Sequence, residues 1–201
     1  MSSTWSGLVF ALCVFQSGCD GTVVGGSLLG ASLAAGTTIS VATPLSLPAA
    51  ASDGGSPGEM VTGQALALFV SSLGDSCASA KARRIRSGSA LLAVLLYDVD
   101  PATGAPSLPS IPATYDVGGT AAAAAAHFAV VNASCGSDAM DTAAATGGSV
   151  WLSRLDGATY SGGGNLDFDS GDSITITFDS TENCPAAADL VSGIPTGFDC
   201  R

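Results

Sequence analysis

The sequence predicts an all-β fold, an antiparallel β-sandwich or barrel with at most one short helix. Three observations carry this expectation. First, Leu166 and Phe168 alternate with Asp167 and Asp169, Ser170-Gly171-Asp172 turns the chain, and Ile174, Ile176 and Phe178 alternate with Thr175, Thr177 and Asp179. Period-two alternation on both sides of a glycine turn describes a hairpin with one buried and one wet face. Second, short β-branched or apolar runs recur between closely spaced turn signals. Third, helical runs are few.

The elements follow in chain order. Leu8–Phe15 is an apolar run, shorter than the roughly 20 residues a membrane span needs. It fits the hydrophobic centre of an export signal, which assigns residues 1–18 to a leader. Thr22–Ala31 and Thr37–Ala42 are candidate strands; the sequence alone leaves open whether they join the β domain or belong to a tether. Pro44–Gly58 is rich in Pro, Gly, Ser and Ala and reads as a loop or linker. Residues 19–59 therefore read as an N-terminal segment, and 60–201 as the β domain with a cysteine-bracketed tail.

Gln64–Ser71 is a short apolar strand. Cys77–Arg86 is the one expected helix, with Ser76 or Asp75 as its N-cap. Ala90–Tyr97 is continuously apolar, which fits a strand buried on both faces or a helical segment. The turn-forming Asp98–Gly104 that follows favours the strand. Ala121–Ala126 is six consecutive alanines; alanine's helix propensity suggests a helical turn, and the flanking glycines suggest a low-complexity loop equally. His127–Val131 and Ser149–Leu155 are strands, the second following a turn at Gly147-Gly148. The hairpin closes the pattern, and Pro185–Arg201 has little regularity.

Composition narrows the function classes. Of 201 residues, 47% are hydrophobic but only 6% aromatic and 11% charged, against about 25% charged in an average soluble protein. Alanine (34) and glycine (26) supply much of the rest, so the mean hydropathy of +0.45 reflects small residues. A net charge of −11 excludes a nucleic-acid partner held by phosphate neutralisation. The acids lie mostly after residue 86, whereas Lys81, Arg83, Arg84 and Arg86 form the one basic cluster. That cluster reads as a solvated face, as a partner for the acidic half of the same domain, or as a contact for anionic headgroups near the anchor.

Gln16-Ser17-Gly18-Cys19 follows the leader's apolar run and resembles the lipobox of bacterial lipoproteins. The resemblance implies cleavage before Cys19 and acylation of its sulfur; two acyl chains suffice for stable anchoring to a membrane. Gln16 replaces the usual leucine, and the first seven residues carry no Lys or Arg. The segments Leu66–Cys77, Ala90–Asp98, Pro112–Gly118, Phe128–Cys135, Gly148–Leu155 and Gly163–Cys184 together resemble small exported bacterial lipoproteins of unknown function with a Cys-bearing all-β domain. That resemblance implies fold and location and no activity.

With Cys13 in the leader and Cys19 acylated, Cys77, Cys135, Cys184 and Cys200 remain, an even number suited to an oxidising compartment. Three connectivities are open. Cys77–Cys135 with Cys184–Cys200 is favoured, because the last two bracket the irregular tail.

No catalytic constellation stands out. Gly-Asp-Ser occurs at Gly74–Ser76 and Gly171–Ser173, a triplet used by one lipase and esterase family, but both lie where turn chemistry expects Gly, Asp and Ser. A serine nucleophile needs a base within reach, and His127 is the only histidine. Asp167, Asp169 and Asp172 form a calcium candidate next to Asn165. It departs from the EF-hand pattern in its glycine position and in having Ile176 where a glutamate belongs. Asp98-x-Asp100 is a second. A solvated hairpin face explains the first group as well, and the expectation is no metal and no cofactor. The expected function is an exported, lipid-anchored structural or binding module at the cell envelope, its partner a membrane through the lipid and its protein or glycan ligand unspecified. The alternatives are an envelope hydrolase with a serine or paired-carboxylate site and a calcium-binding adhesion module.

Overall fold

The structure, a computed structural model, describes residues 22–33, 38–49, 60–72, 75–131, 140–192 and 198–200. The leader, Cys19 and Cys135 lie outside these residues. The strands are β1 (Thr22–Gly25), β2 (Thr38–Pro48), β3 (Met60–Ser71), β4 (Arg84–Ile85), β5 (Ala90–Val99), β6 (Pro106–Ser107), β7 (Thr114–Val117), β8 (Ala122–Val131), β9 (Met140–Asp156), β10 (Thr159–Phe168), β11 (Ser173–Phe178), β12 (Thr181–Asn183) and β13 (Asp199–Cys200). One α-helix, α1 (Ser76–Lys81), and a 3-10 helix over Pro185–Ser192 complete the fold.

The fold is all-β. One large sheet runs β1-β11-β10-β9-β7-β8-β5-β3-β2-β12 and curls as a half-barrel. Most of its pairings are antiparallel; the short β7–β8 and β12–β2 pairs are parallel, so the sheet is mixed, and β13 and β4 form a separate parallel pair. β12 ties the two ends together. It pairs with β2 at Thr38–Ser40, and its Thr181 hydroxyl accepts the Tyr160 N–H of β10 at 3.0 Å. The Thr22 and Thr38 hydroxyls are also hydrogen-bonded, joining β1 to β2. β1 and β2 thus belong to the same large sheet as β3 and β5–β12, so of the two readings the sequence leaves open, these strands follow the one that joins them to the β domain.

The expected hairpin is β10–β11, with Leu166 opposite Ile174. Leu166, Phe168, Ile174, Ile176 and Phe178 are buried and the intervening Asp and Thr residues exposed. Inside the curl these residues meet Leu66, Leu68 and Val70 of β3, Leu92, Val94 and Leu96 of β5, Phe128 of β8, and Val150 and Leu152 of β9. At about 1.5–3 kcal/mol per buried large side chain, this inner core supplies most of the driving force.

Three local expectations are corrected. The alanine run is a strand: Ala124 and Ala126 face inward opposite Leu96 and Val94. Small side chains there leave room for the bulky ones of β5, and packing overrides helix propensity. Pro44–Pro48 continues β2 rather than starting a linker; residues 50–59 are outside the description. β12 covers β2 only at Thr38–Ser40, so Pro44 and Pro48 sit on an open strand edge, where a missing N–H costs nothing. Gly147-Gly148 does not turn the chain but forms an irregularity inside the 17-residue β9. Gly148 has φ +98°, and a Cβ there would stand 2.1 Å from the Asn165 carbonyl oxygen.

α1 is shorter than expected because Arg84 and Ile85 leave it to pair with β13. Asp75 is its N-cap, its Oδ1 accepting the Ala78 N–H at 2.8 Å. Lys81 in the last turn suits the negative end of the helix dipole.

Candidate functional site

β3 and β5 carry apolar residues on both faces, their inward positions filling the main core, and β2 pairs with β3 beside them. Their outward positions include Ile39 and Val41 of β2, Ala67 and Phe69 of β3, and Ala93 and Leu95 of β5. This second face is covered by α1 through Cys77 and Ala80, and by the 3-10 helix through Ala187, Leu190 and Val191.

A disulfide fixes the covering layer. Cys77 and Cys184 are bonded, with Cα atoms 5.7 Å apart and both residues buried. This corrects the favoured connectivity: Cys77–Cys135 and Cys184–Cys200 each require a sulfur that is already used. The physical reason is that both covering segments land on the same apolar strip. The irregular tail folds back as a helix onto that strip instead of closing on itself. The backbone of Cys200 pairs with Ile85.

The cover does not fill the strip. A cleft of about 370 Å³ remains between sheet and cover. Phe69, Leu91, Ala93 and Ala129 form its apolar sheet wall, with His127 and Thr142 beside them. Ser76, Ser79 and Ala80 of α1, Ile85 and Arg84 of β4, Leu190 and Val191, and Phe198 form the opposite side. Arg83 stacks its guanidinium 5.4 Å from the Phe198 ring, an arrangement that holds the ring through a cation–π contact. A second, more open hollow of about 410 Å³ lies next to it, lined by Ser72, Asp75, Ala78, Ser79, Ala82, Arg84 and Arg86. Ser79 and Arg84 border both.

Of the residues singled out from sequence, His127 and Ser76 meet at this cleft, and Gly171–Ser173 does not. His127 is exposed on the outward face of β8, opposite Ala93 and Ala144. Ser76 is buried, and its hydroxyl is hydrogen-bonded to that of Ser71 at 2.6 Å. No hydrogen bond joins Ser76 to His127 among the described residues, so the arrangement that makes a serine nucleophilic is not assembled there.

The carboxylates of the calcium candidate serve separate donors. Asp167 Oδ1 accepts the Ser173 hydroxyl at 2.6 Å. Asp169 Oδ1 accepts the Ala144 N–H at 3.1 Å. Asp172 Oδ2 accepts the Ser170 hydroxyl and, at 3.3 Å, the Leu29 N–H. No cluster of three metal-ligating side chains occurs among the described residues. At the second candidate, Asp100 Oδ1 accepts the Ala102 and Thr103 N–H groups at 2.8 and 2.9 Å. The Thr103 bond first, then that from Ala102, holds its carboxyl below the usual range.

Asp98 stands beside Tyr115, a fully buried phenol. Desolvation first, and the Asp98 carboxylate second, raise the Tyr115 pKa far above its ordinary value. The carboxylate is close enough to act on the phenol, yet no hydrogen bond of ordinary geometry closes on the hydroxyl among the described residues.

Compared with known protein families, curated proteins and solved structures, the chain matches none.

Proposed function

We propose that this chain is an exported, lipid-anchored envelope protein whose β domain acts as a non-enzymatic binding module for a small ligand with an apolar body. The observation that carries the reading is the 370 Å³ cleft between the sheet's outward face and its disulfide-held cover. That volume falls within the roughly 300–1,000 Å³ range of small-molecule sites, and an apolar lining with a few polar groups is their usual make-up. The Cys77–Cys184 bond supports an oxidising compartment, as does the leader-like start of the sequence. The lipid at Cys19 would hold the module at a membrane surface.

Two measurements test this. Intact mass of the protein recovered from membranes is expected to show cleavage before Cys19 and an acyl adduct; an unprocessed, unmodified chain defeats the anchoring half. For the cleft, the uncharged dye Nile red is titrated into the full chain and into Ala129→Phe, which places a ring in the cavity. Dye binding that falls at least about tenfold in the variant, with an unchanged circular-dichroism spectrum, supports the site. Equal binding by both chains refutes it. Hydrolysis of a short-chain ester that Ser76→Ala abolishes would replace binding with catalysis.

A further inference from the structure

We infer that the ligand is a single-chain amphipathic carboxylate, its hydrocarbon body in the apolar cleft and its head in the adjoining hollow, held by Arg84 with Arg86 beside it. The inference rests on the cleft being a ligand site and adds the chemistry of what enters it. Three observations point this way.

The first is the two-part shape. The apolar cleft and the polar hollow share Ser79 and Arg84 at their border. A molecule lying across that border meets hydrocarbon on one side and hydroxyl and guanidinium groups on the other. An entirely apolar ligand would leave the hollow unused, and a polar one would waste the cleft.

The second is charge. The chain carries −11 overall, yet four of its six Lys and Arg residues are Lys81, Arg83, Arg84 and Arg86. All four are exposed, on the segment that runs from α1 into β4 along the hollow. Among the residues that line the hollow, Asp75 is the one acid, and it already spends one oxygen on the α1 cap. Arg84 and Arg86 against Asp75 leave that lining net positive. At physiological salt the Debye length is about 8 Å, so the acids of β10 and β11, which lie beyond β9 in the sheet, are largely screened from an anion in the hollow.

The third is geometry of recognition. A guanidinium presents a rigid fork that matches a carboxylate with two parallel hydrogen bonds. Arg84 is fixed at its backbone by the β4–β13 pair, so its side chain starts from a defined point at the border of the two cavities. The cleft's modest volume favours one aliphatic chain over the two of a diacyl lipid.

The experiment is competition against Nile red on the full chain, below micelle-forming concentrations, with dodecanoate, dodecanol and dodecylammonium. Dodecanoate is expected to bind at least about tenfold tighter than dodecanol, and dodecylammonium weakest. Arg84→Gln is expected to bring dodecanoate down to the affinity of dodecanol, with dodecanol unchanged and Arg84→Lys retaining part of the preference. Arg86→Gln gives a smaller loss in the same direction. Equal binding of carboxylate and alcohol, or a preference that survives Arg84→Gln and Arg86→Gln together, overturns the inference while leaving the cleft a ligand site. Failure of all three amphiphiles and of Nile red overturns both readings.

Discussion

Removing the Cys77–Cys184 bond tests the architecture at its most exposed point. The bond joins residues 107 apart in sequence, so it closes more than half of the chain. In the chain-entropy description, a loop of that length removes about 16 cal/mol/K from the unfolded ensemble, or about 5 kcal/mol at 25 °C. Cys77→Ala with Cys184→Ala is the appropriate perturbation, since it leaves no odd thiol and no buried hydroxyl. Both residues are almost fully buried, so the lost sulfur contacts add about 1 kcal/mol each. A single domain is stable by only about 5–15 kcal/mol, so a loss of about 7 kcal/mol removes about half of the margin or more. The assay is urea unfolding of the double variant and the parent without reductant, followed by circular dichroism. The variant is expected to unfold at much lower urea, with a steeper dependence because its unfolded chain exposes more surface. Nile red binding is expected to weaken as well. α1 has only six residues and a helix that short does not persist without packing. A stability loss below about 1 kcal/mol would refute the reasoning, because the covering layer would then be held by something other than this bond.

Two further outcomes probe the inner core. In β10, a Cβ at Gly162 would lie 2.0 Å from the Trp151 carbonyl oxygen, a backbone atom that cannot swing aside. Gly162→Ala is therefore expected to cost about 3 kcal/mol in urea unfolding, and a change within about 0.5 kcal/mol would contradict the β9–β10 packing. Tyr115→Phe deletes a fully buried hydroxyl that lacks a hydrogen bond of ordinary geometry among the described residues and gives up its contact with the Asp98 carboxylate; the desolvation cost removed outweighs that contact, and stability is expected to rise by about 1 kcal/mol. A loss of similar size would mean that the hydroxyl has a partner after all, such as an enclosed water.

Sequence periodicity was most informative where one face of a strand is wet. The β10–β11 hairpin shows this best, because Asp and Thr mark its outer face and a glycine its turn. Asp75 was readable as a cap because the residue type and the start of a short helix coincide. The alanine run was not readable, because its conformation is decided by Leu96 and Val94 across the register, neither of which is near it in sequence. The disulfide was missed for a related reason. Short closures are entropically cheapest for a chain judged piece by piece, whereas the real pairing is set by the strip on which Cys77 and Cys184 both land.

The cleft is harder still, since its residues run from Ile39 to Phe198 and share no motif. Yet one feature of the sequence announces it. Ala90–Tyr97 has no polar position, and in β5 the inward residues Leu92, Val94 and Leu96 are completed by outward Leu91, Ala93 and Leu95, which remain half-exposed. A strand apolar on both faces obliges the fold to supply a second covering layer. The remaining candidates for that layer were a short helix and a tail of alanines, both small-residue segments. Such segments cover the strip incompletely: Ala80 and Ala187 bury themselves against it, but they cannot fill what lies before Leu91 and Ala129. The unfilled space follows from pairing a wide apolar sheet face with a cover whose most buried residues on α1 and the 3-10 helix include the small side chains of Ala80 and Ala187. The basic run from Lys81 to Arg86 stands at its rim because the same short helix must end there and enter β4.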